Sequence, residues 1–132
     1  MVYGGNVYDG RTNVSLAVNS NRIDRCYLLS LLHERPRRVL VIGMSTGAWL
    51  RVLTALPGVE QIEVVEINPG YLQLVEAYPQ LRQGVHDPRV QVHIDDGRRW
   101  LRRHPASRFD LIVMNTTFYW RAQSTGLLSR QF

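Results

Sequence analysis

A chain of 132 residues with 45% apolar content makes one globular domain with a real core, expected to span 1–132 without linkers. All 16 basic residues are arginine against 11 acidic ones, and a scattered net charge of +5 argues against a dedicated nucleic-acid surface. The apolar runs fall far short of the roughly 20 residues that cross a bilayer, no basic-then-apolar leader opens the chain, and Cys26 stands alone. A cytoplasmic setting is expected, with a membrane involved only if the chain is part of a longer one.

Residues 1–20 read as an N-terminal hairpin or a pair of loose strands. The turn signals Gly4-Gly5-Asn6 and Asp9-Gly10 flank the runs Val7-Tyr8 and Val14-Ser15-Leu16-Ala17-Val18. Asn19-Ser20-Asn21 can cap a helix from about Arg22 to His33, ended by Pro36. Cys26 lies inside it and reads as core. A strand over 38–42 leads through Gly43-Met44-Ser45-Thr46-Gly47 into a helix over 46–56, closed by Pro57-Gly58. The next strand covers 61–66. Pro69 suits the first turn of a helix reaching Tyr78, and 80–88 is expected as loop. Residues 90–94 form a half-buried strand, Asp96-Gly97 turns into a helix over 98–103, and 109–114 form a strand apolar enough to be central. Arg98, Arg99, Arg102 and Arg103 make a solvated face of that helix. The tail over 115–132 starts as a polar-aromatic loop.

Alternating strands and helices give an α/β fold, a Rossmann-type doubly wound parallel sheet. With the four strands numbered in chain order, the expected arrangement is 3-2-1-4, the first half of such a fold, over residues 37–115. The sheet is truncated after the fourth strand. An apolar open edge invites aggregation, so the tail, the hairpin or a second copy of the chain (a homodimer) is expected to cover it.

The strand ends carry the chemistry. Gly43 and Gly47 allow close backbone approach at a helix N-terminus. Glu66 follows 23 positions after Gly43 (66 − 43), at the tip of the second strand, where a carboxylate can accept both hydroxyls of a ribose. Asp96-Gly97 ends the third strand, where a carboxylate can take an adenine amino proton or cap the helix. Asn115 ends the fourth, where a second substrate would react. Ser45 stands where a dinucleotide fingerprint requires glycine, which counts against a nicotinamide cofactor, and Asp96-Gly97 with the short run to the fourth strand suits a mononucleoside with a sulfonium arm better. His86, His93 and His104 lack ligand spacing, so no metal is expected.

Val39-Leu40-Val41-Ile42-Gly43, Val65-Glu66-Ile67-Asn68-Pro69, Asp87-Pro88-Arg89-Val90, Asp96-Gly97-Arg98 and Phe109-Asp110-Leu111-Ile112-Val113 together resemble, in order and spacing, the motifs of the spermidine synthase family. The resemblance covers about 37–132, and Asp9-Gly10 is similar to that family's N-terminal strand turn. It implies the class I methyltransferase fold, polyamine biosynthesis, and binding of S-adenosylmethionine, decarboxylated S-adenosylmethionine or methylthioadenosine. By resemblance, Gly43, Met44, Ser45, Thr46 and Gly47 line the sulfonium arm, Glu66 holds the ribose, Asp96 and Gly97 face the adenine, and Ile67 and Asn115 are further cofactor contacts.

The departures bear on catalysis. Thr46 replaces the glycine turn's aspartate, Asn115 replaces the catalytic aspartate after the fourth strand, and Arg25-Cys26-Tyr27 stands near the family's Tyr-His-Glu. A diamine substrate is dicationic, with amine pKa values of about 10, and must be held by anions and lose a proton before attack. Asn115 can orient an amine but cannot take its proton, which counts against ordinary transfer to putrescine. Asn115-Thr116-Thr117-Phe118 also keeps the Asn-x-x-aromatic spacing of amine methyltransferases, with Phe118 and Tyr119 as substrate contacts. Three readings stay open: an aminopropyltransferase-like enzyme, a methyltransferase acting on an amine, and a non-catalytic nucleoside-binding module.

Overall fold

The computed structural model describes residues 1–4 and 7–115. A two-stranded antiparallel hairpin, β1 (Val2–Gly4) and β2 (Val7–Gly10), precedes the short helices α1 (Asp24–Tyr27) and α2 (Leu29–Leu32). Then come β3 (Arg38–Ile42), α3 (Ala48–Ala55), β4 (Gln61–Glu66), α4 (Pro69–Ala77), α5 (Pro79–Val85), β5 (Val90–Ile94), α6 (Gly97–Arg103) and β6 (Leu111–Met114). The main sheet is parallel, ordered β5-β4-β3-β6, which is the expected 3-2-1-4 arrangement. Its register pairs Val41 with Val64 on one side and with Val113 on the other.

Period-two alternation divides the core between the two faces of this sheet. Val39, Val41, Ile62 and Val64 pack with Cys26, Leu50, Leu53, Val75 and Leu81 from the helices of one face. Leu40, Ile42 and Val65 pack with Trp100 of α6 on the other. Burial pushes the Cys26 thiol up to about 12, against a smaller opposite pull from Arg25, so it is a core side chain and no nucleophile.

Four expectations are corrected. Residues 14–18 form no strand. Side chains there take the bonds a ladder would use: Asn13 Oδ1 accepts from the Ser15 amide at 3.1 Å, and Ser15 Oγ from the Val18 amide at 3.2 Å. The helix expected from Arg22 to His33 is two single turns broken at Leu28. Arg22 cannot start a helix at φ 54, and Leu28, Leu31 and Leu32 are exposed, so packing does not reward a longer one. The loop expected at 80–88 contains α5, where Pro79 starts a helix and Leu81 and Val85 are buried one turn apart. Gly84 lets that helix approach α3, since a Cβ there would stand 3.1 Å from Leu50 Cβ. Finally, the apolar strand β6 is an edge strand, with Ile112 53% exposed. The hairpin forms a sheet of its own, and nothing among the described residues pairs with the outer side of β6. A cover from residues 116–132 lies outside the described residues.

The strand entries opposite the site are tied by carboxylate hydrogen bonds and an ion pair. Asp110 Oδ2 accepts from the amides of Arg37 and Arg38, both at 2.8 Å, and joins β6 to β3. Those bonds hold its carboxyl below the usual carboxylate range. Arg89 binds Asp87 through two nitrogens and donates to the carbonyls of Thr54 at 2.8 Å and Val59 at 3.1 Å, clamping the α3–β4 connection. The Arg89 bond holds Asp87 at about 2. Because that value is depressed, its stabilisation is present above the unfolded value of about 3.9 and lost as pH falls through about 2. Solvent screening limits the contribution to about 1 kcal/mol. Urea melts at pH about 4.5 and about 2 should show Asp87→Asn losing that much less than the unaltered chain. Equal losses would remove this account. Among the described residues, no helix is long and apolar enough to cross a membrane.

Candidate functional site at the strand ends

At the carboxyl end of β3, Gly43 turns at φ 90 with its amide bonded to Val65 O at 2.9 Å. A Cβ there would lie 2.9 Å from Asn115 O, and the Asn115 amide bonds Ile42 O at 2.9 Å. Gly43 is therefore required by the closeness of β6. Met44 and Thr46 are buried, and Gly47 at φ 75 leads into α3. Ser45 sits at φ 51, a left-handed conformation that costs a non-glycine residue on the order of 1–3 kcal/mol and that marks functional turns.

Glu66 ends β4 beneath this turn and is 4% exposed. Its Oε2 accepts from the amides of Met44 at 2.7 Å and Ser45 at 3.3 Å, and its Oε1 accepts from the Asn68 amide at 2.8 Å. The sequence suggested turn amides open to a ligand. Two of them instead meet a carboxylate of the protein itself. An anion nest so filled has little to offer a phosphate. Asn68 goes on to cap α4, its Oδ1 accepting from the Gly70 amide at 2.9 Å.

The Asp95 amide bonds Glu66 O at 3.1 Å, which brings the end of β5 to the same rim. Asp96 Oδ1 accepts from the Arg99 amide at 2.9 Å and caps α6, so the capping role is realised. Asp95 binds Arg99 and, at 3.4 Å, Arg103. Burial opposes ionisation of Asp95, but the Arg99 and Asp96 hydrogen bonds with both guanidinium charges hold its pKa below the ordinary value. The arginine face thus includes two paired members. Gly97 is buried, while Ile67 at 69% and Ile94 at 43% exposure leave apolar side chains bare at the ends of β4 and β5.

Gly43, Met44, Ser45, Thr46, Gly47, Glu66, Ile67, Asp96, Gly97 and Asn115 therefore share one edge of the sheet, the carboxyl ends of its strands. Phe118 and Tyr119 lie outside the described residues. Sequence reasoning missed Ile94 and the contribution of the hairpin. Asp9 O accepts from Ser45 Oγ at 2.8 Å, and Gly10 packs on Thr46, where a Cβ would stand 3.5 Å from Thr46 Cγ2. Tyr71 hydroxyl donates to the Asp9 carboxylate. The only available signal was Asp9-Gly10 itself, which reads first as a turn. Among the described residues, no group of three or more potential ligands could hold a metal ion.

The model of the spermine/spermidine synthase domain matches residues 28–132. A polyamine aminopropyltransferase from Streptococcus pneumoniae is 33% identical over 102 residues, 76% of this chain and 35% of that one. One from Alkalilimnicola ehrlichii is 35% identical over 86 residues, 64% of this chain and 30% of that one. A crystal structure of spermidine synthase in complex with the transition state analogue AdoDATO superposes with a TM-score of 0.65 at 27% identity, covering 76% of this chain and 34% of that one. The chain spans about a third of the length of these relatives. A glycine turn, a strand-end glutamate and an Asp-Gly helix start on one rim, matched over most of the sequence, make this chain a member of the spermine/spermidine synthase family.

Proposed function

We propose that this rim binds an S-adenosyl nucleoside, with decarboxylated S-adenosylmethionine, S-adenosylmethionine and methylthioadenosine as candidates, and serves polyamine-type transfer. The observation that carries the proposal is the Glu66 carboxylate seated on the turn amides. A carboxylate has about four acceptor directions, and three amides use three of them, leaving one toward a ribose hydroxyl. The same arrangement repels a diphosphate and accepts a neutral or cationic ligand. Ile67 and Ile94 supply apolar contact for an adenine ring, and Asp96-Gly97 lies beside it. Bound here, S-adenosylmethionine or its decarboxylated form offers a sulfonium-linked carbon to an incoming amine. The new C–N bond forms as the C–S bond breaks, and the nucleoside leaves as a neutral thioether, which is methylthioadenosine when the aminopropyl group is transferred. Asn115 orients that amine by its amide oxygen and cannot accept its proton, so putrescine transfer is slow or absent.

Thermal unfolding tests this with the three nucleosides and NAD added separately. A ligand at a hundredfold excess over its Kd stabilises the native state by about 2.7 kcal/mol, a rise of several degrees. At least one S-adenosyl nucleoside or methylthioadenosine should produce it, and NAD should not. Preference for the decarboxylated form supports aminopropyl transfer, and preference for S-adenosylmethionine turns the reading to methyl transfer. Stabilisation by NAD alone, or by none, would refute nucleoside binding of the proposed kind.

A further inference from the structure

The left-handed Ser45 backbone is gripped from two sides. Below it, Glu66 accepts its amide; above it, Asp9 O accepts its hydroxyl at 2.8 Å. Asp9 belongs to β2, in a hairpin of three and four residues. A two-stranded ribbon of that size is marginal in water and depends on what it docks against. Its Gly10 end lies on Thr46, and its Asp9 carboxylate takes the hydroxyl of Tyr71, from the first turn of α4, 62 residues away in the chain. Tyr71 packs by its ring on the main core, so its hydroxyl is offered from a fixed base.

We propose that Tyr71 is a positioning residue for the nucleoside site: through Asp9 it holds the N-terminal hairpin on the glycine turn and keeps Ser45 in its ligand-ready conformation. Tyr71 reaches the ligand through Asp9, whose strand holds Ser45 by a hydrogen bond and Thr46 by the packing of Gly10. The inference rests on the nucleoside reading for its effect on affinity, but the latch is measurable without ligand. It also explains a serine at a position whose backbone suits glycine. The Ser45 hydroxyl is the point where the hairpin takes hold, and glycine would relax the backbone while losing the grip.

The test is a double-mutant cycle on methylthioadenosine affinity, measured by calorimetry on the full chain. Tyr71→Phe keeps the ring and removes one hydrogen bond to a charged group, and should weaken binding about tenfold. In a Ser45→Gly background the same change should cost no more than about twofold, because the hydrogen bond to the turn is already cut and only the Gly10–Thr46 contact remains. Unchanged affinity in Tyr71→Phe, or the same tenfold loss in both backgrounds, overturns the proposal. Hydrogen exchange of the ligand-free chain separates this from the nucleoside reading. Tyr71→Phe should speed exchange in the hairpin and at the Gly47 amide, which bonds Met44 O, while leaving the β3 and β4 amides unaffected. If the unaltered chain binds no methylthioadenosine, exchange alone decides the latch, and the nucleoside reading falls only when S-adenosylmethionine and its decarboxylated form fail as well. Equal exchange in the two chains overturns it.

Discussion

Glu66→Ala is expected to lower stability by about 3 kcal/mol and, on the proposed function, to remove nucleoside binding together with it. The alanine leaves the amides of Met44, Ser45 and Asn68 without their acceptor, and at least the first of these sits in a buried turn. Buried donors left unpaired cost on the order of 1–3 kcal/mol each, while those that water can reach recover part of that. Glu66→Gln should lose about half as much, since one amide oxygen still accepts but the NH2 group faces a second donor. Urea unfolding read beside methylthioadenosine calorimetry separates the two effects. An alanine variant with an unaltered urea midpoint would mean that the carboxylate does not hold the turn, and the structural basis of the site would be lost.

Gly43→Ala should cost about 3 kcal/mol, and Gly47→Ala only about 1 kcal/mol. Both glycines have positive φ, so both alanines pay backbone strain. At Gly43 the new methyl also meets Asn115 O at 2.9 Å, a backbone atom held in place by β6 pairing. At Gly47 the nearest atom is Val75 Cγ2 at 3.9 Å, an ordinary contact. Paired thermal melts of the two variants measure the difference. Equal losses would show that β6 yields, and that the approach of Asn115 to the turn is not enforced.

The parallel sheet was legible because its strands are short apolar runs bounded by glycine, proline and acid, and because right-handed crossovers leave little choice of order. The shared rim was legible for the same reason. In such a sheet every carboxyl end faces one rim, so Gly43, Glu66, Asp96 and Asn115 converge whatever the helices do. The misreadings fall where local signals are ambiguous. Pro79 ends one helix and equally begins another, and the buried spacing of Leu81 and Val85 was the evidence for the second. The apolar content of 109–114 suggested a central strand, yet β6 is an edge in the described structure, since composition reports burial and cannot count neighbours.

Sequence by itself determined the strand order and the rim on which the acids gather, because these follow from periodicity, chain order and handedness, and its motifs carried the family resemblance. Only the tertiary structure decided what those acids hold. Glu66 takes the amides of the glycine turn after β3, Asp96 caps α6, and Asp9 fastens the hairpin to Tyr71. These partners lie as many as 62 residues apart, and a hydrogen bond depends on a few tenths of an ångström that spacing along a chain does not encode.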